Sequence, residues 1–433
     1  MRVDGVQNVL AALVLAAGLL LAPAAQAENQ NILLLSVDTL RADRLGCYGY
    51  EFDTSPRIDA LAEQSLLFED CVCEVPLTFP SMGSMLCSQF PRATGTTRNG
   101  LRMPDDAPLV QELFRAAGYT TWCVQSNWTL KAKLSGLDRG FDLYEDDFHE
   151  GRWGFIKAER TADEVTETAL RVLAGRDRSK PFFAWIHYTD PHAPYELHRK
   201  FNPQDRSVWW RKNEEKVQIK YDSEVAFTDH HIARLLEALP DNTSIVFTAD
   251  HGESLWEHDY LGHGRYVYQM GLHIPLMIHA PGVAPGRTAR PVRGIDVGPT
   301  LLALAGITPA EPMLGLNVLE NTPQPRARVV ETYGGAVPKV PGVRALLANA
   351  GPLWRGVLLD GWKLIFDGDK DELYHLPEDP DELNDLSGTR LHKVRELRAV
   401  AQEWDTGTTQ AEETGKVLDE DDIRALESLG YIE

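Results

Sequence analysis

Unbroken apolar runs that stop at a carboxylate punctuate this chain. Residues 31–37 (Asn-Ile-Leu-Leu-Leu-Ser-Val) lead into Asp38, and residues 243–249 (Thr-Ser-Ile-Val-Phe-Thr-Ala) lead into Asp250. A parallel strand is covered on both faces, so it reads as continuous apolar sequence, and its carboxyl end lies at the functional edge of the sheet. Residues 120–125, 181–188 and 274–279 predict further strands of this kind. Between them the apolar spacing lengthens to that of a helix. Ser55-Pro56 opens one carrying Ile58, Leu61 and Leu66, and others are predicted over 109–117, 160–174, 220–239 and 297–305. Strands alternating with helices predict an α/β fold, a mainly parallel sheet with helices on both faces. Beyond residue 330 the texture changes to short strands around 331–333, 355–359 and 361–366, an acidic loop over 378–385 and a short helix over 421–429. This predicts a catalytic α/β domain over 28–330 and a smaller sheet subdomain over 331–433.

The stretch Glu74-Val75-Pro76-Leu77-Thr78-Phe79-Pro80-Ser81-Met82-Gly83-Ser84-Met85 reads as a loop turning into a buried helix. Pro80 suits the first turn, where its missing N–H costs nothing. Thr78 sits just before the helix N-terminus, where free N–H groups and the helix dipole favour an anion. Its hydroxyl either caps the helix or attacks a phosphate or sulfate ester.

Composition narrows the partners. The chain has 433 residues and a formal net charge of −21, which argues against nucleic acid or an anionic membrane surface. A small anionic ester would then need local compensation by a metal or by placed cationic side chains. At the N-terminus Arg2 precedes an apolar run over 9–24, and Ala25-Gln26-Ala27 has the small-x-small form of a cleavage site. Residues 1–27 therefore read as a signal peptide of a secreted, periplasmic protein, with an uncleaved anchor as the alternative. No other stretch is apolar enough to span a bilayer. The five cysteines lack zinc-site spacing and read as buried apolar side chains. Residues 199–217 read as a charged surface excursion whose Trp209 and Trp210 either line a substrate mouth or pack the excursion.

Strand ends of a parallel sheet share one edge, so Asp38, Asp250 and the Thr78 helix can converge there. Asp250 continues as His251-Gly252-Glu253. Two carboxylates, one imidazole and one hydroxyl make a divalent-cation set. Mixed nitrogen and oxygen ligation favours zinc or manganese, and an all-oxygen set would favour calcium or magnesium.

These segments resemble the sulfatase family within the alkaline phosphatase superfamily. The likeness runs through residues 31–43, Leu45-Gly46-Cys47-Tyr48-Gly49-Tyr50, Thr78-x-Pro80-Ser81, Asp190-Pro191-His192-x-Pro194-Tyr195, Thr248-Ala249-Asp250-His251-Gly252-Glu253, His263-Gly264, and Trp362-Lys363-Leu364 with Glu372-Leu373-Tyr374. It covers nearly the whole mature chain. The departures matter for chemistry. Family sulfatases carry a C/S-x-P-x-R motif matured to formylglycine; here its positions hold Thr78, Pro80 and Met82. Threonine cannot become formylglycine, and the arginine is missing. Asp38 is followed by Thr39 where an Asp-Asp pair is usual. The site is more similar to threonine-nucleophile phosphodiesterases and to phosphonate monoester hydrolases.

The resemblance implies metal ligands Asp38, Thr78, Asp250 and His251, with Thr78 as nucleophile. It places His192 and His263 toward the leaving group or the non-bridging oxygens, and Asn99 on the substrate. Arg41 either helps hold the anion or makes a structural ion pair. Asp190 with His192 would hold a second metal ion, as in two-zinc relatives. His187 and His258 are accounted for by strand packing and loop solvation. The expected activity is metal-dependent hydrolysis of a phosphate, phosphonate or sulfate ester, and the alternative is a catalytically silent protein that keeps the metal and anion pocket.

Overall fold

The computed structural model describes residues 30–147, 160–204, 211–309, 313–320, 325–334 and 353–413. The expected leader, the pair Trp209 and Trp210, and the helix expected over 421–429 lie outside the described residues.

An eight-stranded sheet runs through the larger part of the chain. Its strands follow the order Gly286–Thr288, Leu66–Phe68, Leu276–His279, Thr243–Ala249, Asn31–Val37, Phe182–Tyr188, Thr120–Gln125 and Leu143–Glu145. Neighbours pair in parallel except Leu276–His279, which runs antiparallel to both strands beside it. The three middle strands, Thr243–Ala249, Asn31–Val37 and Phe182–Tyr188, are buried at every position, as their apolar sequence requires.

Helices Pro56–Ala62, Ala162–Gly175 and Asn213–Leu236 pack together on one face, and Thr78–Cys87, Val110–Ala116 and Val297–Leu304 on the other. Local chemistry fixes their starts. Pro56 occupies the first turn of its helix, and Asp229 accepts from the free N–H groups of Arg57 and Ile58 at 3.0 and 2.7 Å. Glu164 reaches back to the Thr161 N–H at 3.2 Å in a capping box. The long helix begins at Asn213 rather than at 220, so part of the expected surface excursion is helical. All five cysteines are unbonded, and four of them are buried.

The smaller sheet is an antiparallel meander of Arg328–Thr332, Trp354–Leu359, Trp362–Phe366 and Asp371–His375. Its second and third strands are joined by Asp360-Gly361, both left-handed (φ 51° and 76°), the two-residue turn that matches strand twist. A helix the sequence pattern does not predict, Leu391–Gly407, lays Val394, Leu397 and Ala401 on this sheet. The smaller sheet is tied to the larger part of the chain at Gln269, which meets both members of the buried pair Lys363 Nζ–Glu382 Oε1 (2.6 Å), and by Arg328 on Asp70.

Candidate active site

The register of the sheet decides which side chains meet. Ser36 stands opposite His187 on one side and Thr248 on the other. Alternation along a strand puts Asp38, two residues on, above Ser36 and on its face, and puts Asp250 above Thr248 in the same way. The first turn of the Thr78–Cys87 helix closes over this edge. Thr78 is its first residue, not the residue before it, and Pro80 falls in the first turn.

The result is a buried cluster. Thr78 Oγ1 lies 3.3 Å from His251 Nε2, which is 3.7 Å from Asp38 Oδ1 and 3.5 Å from Asp250 Oδ2. Thr78, Asp38, Asp250 and His251 are fully shielded from solvent. His251 Nδ1–H donates to the Gly252 carbonyl at 2.8 Å, so Nε2 turns its lone pair toward the hydroxyl and the carboxylates. Ser81 Oγ donates to the Asp250 carbonyl at 2.5 Å, docking the helix on the strand end. Asn99 Oδ1 accepts from Phe79 N–H at 3.1 Å, which caps the helix and leaves its buried Nδ2 without a hydrogen-bond partner.

Outward of this cluster sit two more imidazoles. The His263 ring centre is 4.5 Å from that of His251 and 5.2 Å from that of His192. Glu253 Oε1 accepts from His263 Nδ1 at 3.1 Å, and His192 Nδ1–H donates to the Ala193 carbonyl at 2.6 Å. Both rings are thereby held in one orientation.

Three participants are not evident from the sequence. Asn127 Nδ2 donates to Asp38 Oδ2. Polar residues just past the buried strand Thr120–Gln125 stand at the same sheet edge as Asp38 and Asp250, and that is the signal which could have found Asn127. His187 Nε2 lies 3.8 Å from Asp38 Oδ2. Thr39 holds a left-handed backbone (φ 54°), uncommon for a β-branched residue; its N–H donates to Asp250 Oδ1 at 3.0 Å and its carbonyl accepts from Tyr221 Oη at 2.6 Å.

The donor chemistry fits a divalent cation. Asp38, His187 and Asp250 place ligand atoms within 4.8 Å of one another. Burial pushes the Asp250 carboxyl upward, and it depresses His251 to about 3 and His187 to about 4, so both imidazoles are neutral at pH 7. Asp250 Oδ2 and His187 Nε2 are buried with no hydrogen bond. Unmet buried donors and acceptors are costly, and a cation between them answers both.

Other residues singled out in the sequence fall elsewhere. The Arg41 guanidinium pairs with Asp43 at 2.6 Å and Glu257 at 2.8 Å and donates to the Glu253 carbonyl at 3.0 Å. It lines a cavity of about 680 Å³ with Met270, Trp362 and Glu257, one that Thr78 does not reach. Asp190 Oδ2 accepts from the Ala162 N–H at 2.7 Å, at the start of a helix. His258 stacks on Tyr268 with ring centres 3.8 Å apart.

Comparison with known proteins now decides the kinship, since the description of the sulfatase family matches residues 30–307. The chain belongs to the sulfatase family. A second match, to the C-terminal region of N-sulphoglucosamine sulphohydrolase, spans residues 256–403. N-acetylglucosamine-6-O-sulfatase of Bacteroides thetaiotaomicron is 24% identical over 87% of this chain and 86% of its own length. Choline-sulfatase of Rhizobium meliloti is 24% identical, with 87% of each chain covered. Among solved structures, the phosphonate monoester hydrolase of Agrobacterium radiobacter superposes with a TM-score of 0.73 at 20% identity, covering 88% of this chain and 96% of that one. This sulfatase-family chain is thus a hydrolase of the class that acts on ester bonds, built on the mixed α/β fold of its relatives.

Proposed function

We infer that this sulfatase-family protein hydrolyses a phosphate or phosphonate ester through a covalent Thr78 intermediate, with one divalent cation held by Asp38, Thr78, Asp250 and His251. The observation that carries this reading is the Thr78 hydroxyl, 3.3 Å from a neutral imidazole at the rim of two buried carboxylates. The cation, when bound, supplies Lewis acidity that makes the Thr78 hydroxyl ionisable near neutral pH and draws charge from the ester oxygens.

The chain's own groups do the rest. Oγ1 of Thr78 attacks phosphorus in line, the new O–P bond forms and the bond to the leaving oxygen breaks. The Thr78 proton passes to solvent, and His192 or His263, on the outer side of the cluster and carrying a second proton on Nε2, gives that proton to the leaving oxygen. Water then attacks phosphorus, the Thr78 O–P bond breaks, and Oγ1 regains a proton. Asn99 Nδ2 is a neutral donor for a non-bridging oxygen. Phosphorus is preferred over sulfur because a formylglycine diol can expel sulfate with its second hydroxyl, and Thr78 has only one. Residues 1–27 would direct export to the periplasm, which fractionation of the expressed full chain tests.

A panel of chromogenic aryl phosphate, phosphonate and sulfate esters, run with added zinc, manganese, calcium or magnesium, tests the reading. Wild-type protein should turn over a phosphorus ester fastest, and Thr78→Ala should abolish that turnover. Full activity in Thr78→Ala would refute the nucleophile. A metal-binding protein with no turnover of any ester would leave the silent-protein alternative standing.

A further inference from the structure

We propose that His187 is an additional ligand of the cation, seated one step down the sheet from the two carboxylates. The inference rests on the reading of Asp38 and Asp250 as a cation site. It adds a donor from inside a strand whose sequence looks like plain core.

The geometry comes from the sheet. His187 follows Phe183 and Trp185 on one face of its strand, the face on which Phe183 stacks against Phe114 of the Val110–Ala116 helix. Its register partner Ser36 lies two residues before Asp38 on the neighbouring strand. The ring therefore rises toward Asp38, and Nε2 stops 3.8 Å from Oδ2. His251 approaches the other oxygen, Oδ1, at 3.7 Å. In a five-donor site with bonds of about 2.1 Å, neighbouring donors stand about 3.0 to 3.4 Å apart. The 3.5 to 3.8 Å separations between these imidazoles and carboxylates need only a small contraction to reach that.

The ring is also held for the task. Trp185 Nε1–H donates to Ser36 Oγ at 2.9 Å, and Ser36 Oγ meets His187 Nδ1 at 2.8 Å. With the proton on Nδ1, Ser36 accepts it and Nε2 turns a lone pair toward the carboxylates. A carbonyl or hydroxyl partner behind a ligating imidazole is how metal sites fix ring and tautomer. His187 Nε2 is fully buried and makes no hydrogen bond. A lone pair facing two carboxylates without a proton or a cation between them is repulsive. The residue after Asp38 is Thr39, a hydroxyl rather than a second acid, so one negative oxygen donor is absent. Two imidazoles and two carboxylates then favour zinc or manganese over calcium.

The test uses the purified full chain, stripped with chelator and titrated with zinc, manganese or calcium alone. Electron spin-echo modulation of the copper(II)-loaded protein counts the coordinated imidazoles. Wild type should show two. His187→Ala should show one, with zinc affinity lowered by about 10- to 100-fold or more and calcium affinity little changed. One imidazole in the wild type, or zinc binding by His187→Ala as tight as wild type, would overturn the proposal while leaving the cation site intact. Absence of divalent-ion binding by the wild type would overturn both. If His187→Ala does not fold, His187→Gln serves for the affinity and the wild-type count still decides.

Discussion

Lys363 offers a sharp test of a buried ion pair in the smaller sheet where it meets Gln269. Its side chain is fully buried and its ammonium meets Glu382 Oε1 at 2.6 Å, while Glu382 is itself 1% exposed. The remaining contacts are few. Lys363 Nζ donates to Gln269 Oε1 at 3.2 Å, and Glu382 Oε2 accepts from the Gln269 N–H at 2.6 Å. Lys363→Met keeps most of the stem volume and removes the charge, leaving a buried carboxylate with one backbone donor. Breaking a buried pair from one side costs about 3–5 kcal/mol. Glu382→Gln should cost a similar amount, since it strands the ammonium. The double variant Lys363→Met/Glu382→Gln keeps the acceptor for Gln269 and buries no net charge, so its loss should be about 1 kcal/mol or less. The three variants must therefore be strongly non-additive, with a coupling of about 5 kcal/mol or more in favour of the pair. Urea unfolding followed by tryptophan fluorescence measures this, with Trp362 next to the altered position reporting on the smaller sheet. Additive losses, or a single-variant loss below about 1 kcal/mol, would refute the idea that this ion pair is desolvated in the folded protein.

Two further outcomes follow from the buried groups Glu74 and Thr39. Burial raises the Glu74 carboxyl to about 7 against the opposing pull of Arg293 and the Ile295 N–H. The folded protein then holds this proton over a range where the unfolded chain has lost it, so the contribution of Glu74 to stability is greatest below about pH 4.5 and falls as pH rises to 7; the shift amounts to about 3 kcal/mol. Glu74→Gln should flatten that slope in unfolding curves taken from pH 5 to 8, and an unchanged slope would sink the assignment. At Thr39, relief of a left-handed β-branched residue returns about 1–2 kcal/mol, and the added freedom of glycine in the unfolded chain takes back about 0.5–1. Its hydroxyl is also buried without a partner, which adds to the gain. Thr39→Gly should raise the thermal midpoint more than Thr39→Val, which loses the unpartnered hydroxyl but keeps the left-handed β-branched backbone; equal midpoints would show that the backbone there is unstrained.

The parts of the fold that were legible in the sequence are those buried on both sides. Strands 31–37, 182–188 and 243–249 announce themselves because no polar face interrupts them. The Leu391–Gly407 helix stayed hidden because only Val394, Leu397 and Ala401 of its seventeen residues are buried, among many charged positions. Leu143–Glu145 and Leu66–Phe68 are three residues long, too short for a period to show. That Leu276–His279 runs antiparallel is a matter of connection, which a strand's own composition does not carry.

The site divides in the same way. Asp38 and Asp250 stand out as charges at the ends of apolar runs, and the helix start at Thr78 is written in Pro80. Arg41 could not be resolved from sequence, because Glu257 pairs with it from 216 residues away. His187 sits inside an apolar run, where a histidine looks like filler; only the register against Ser36 shows what it faces.

Asp38, His187 and Asp250 lie in or just past three strands standing side by side, one residue apiece. No single loop or hairpin carries the pocket, so no local loosening can spare it. Catalytic turnover should thus vanish together with the middle of the sheet, which makes a simple rate measurement a gauge of whether the whole larger domain is still assembled.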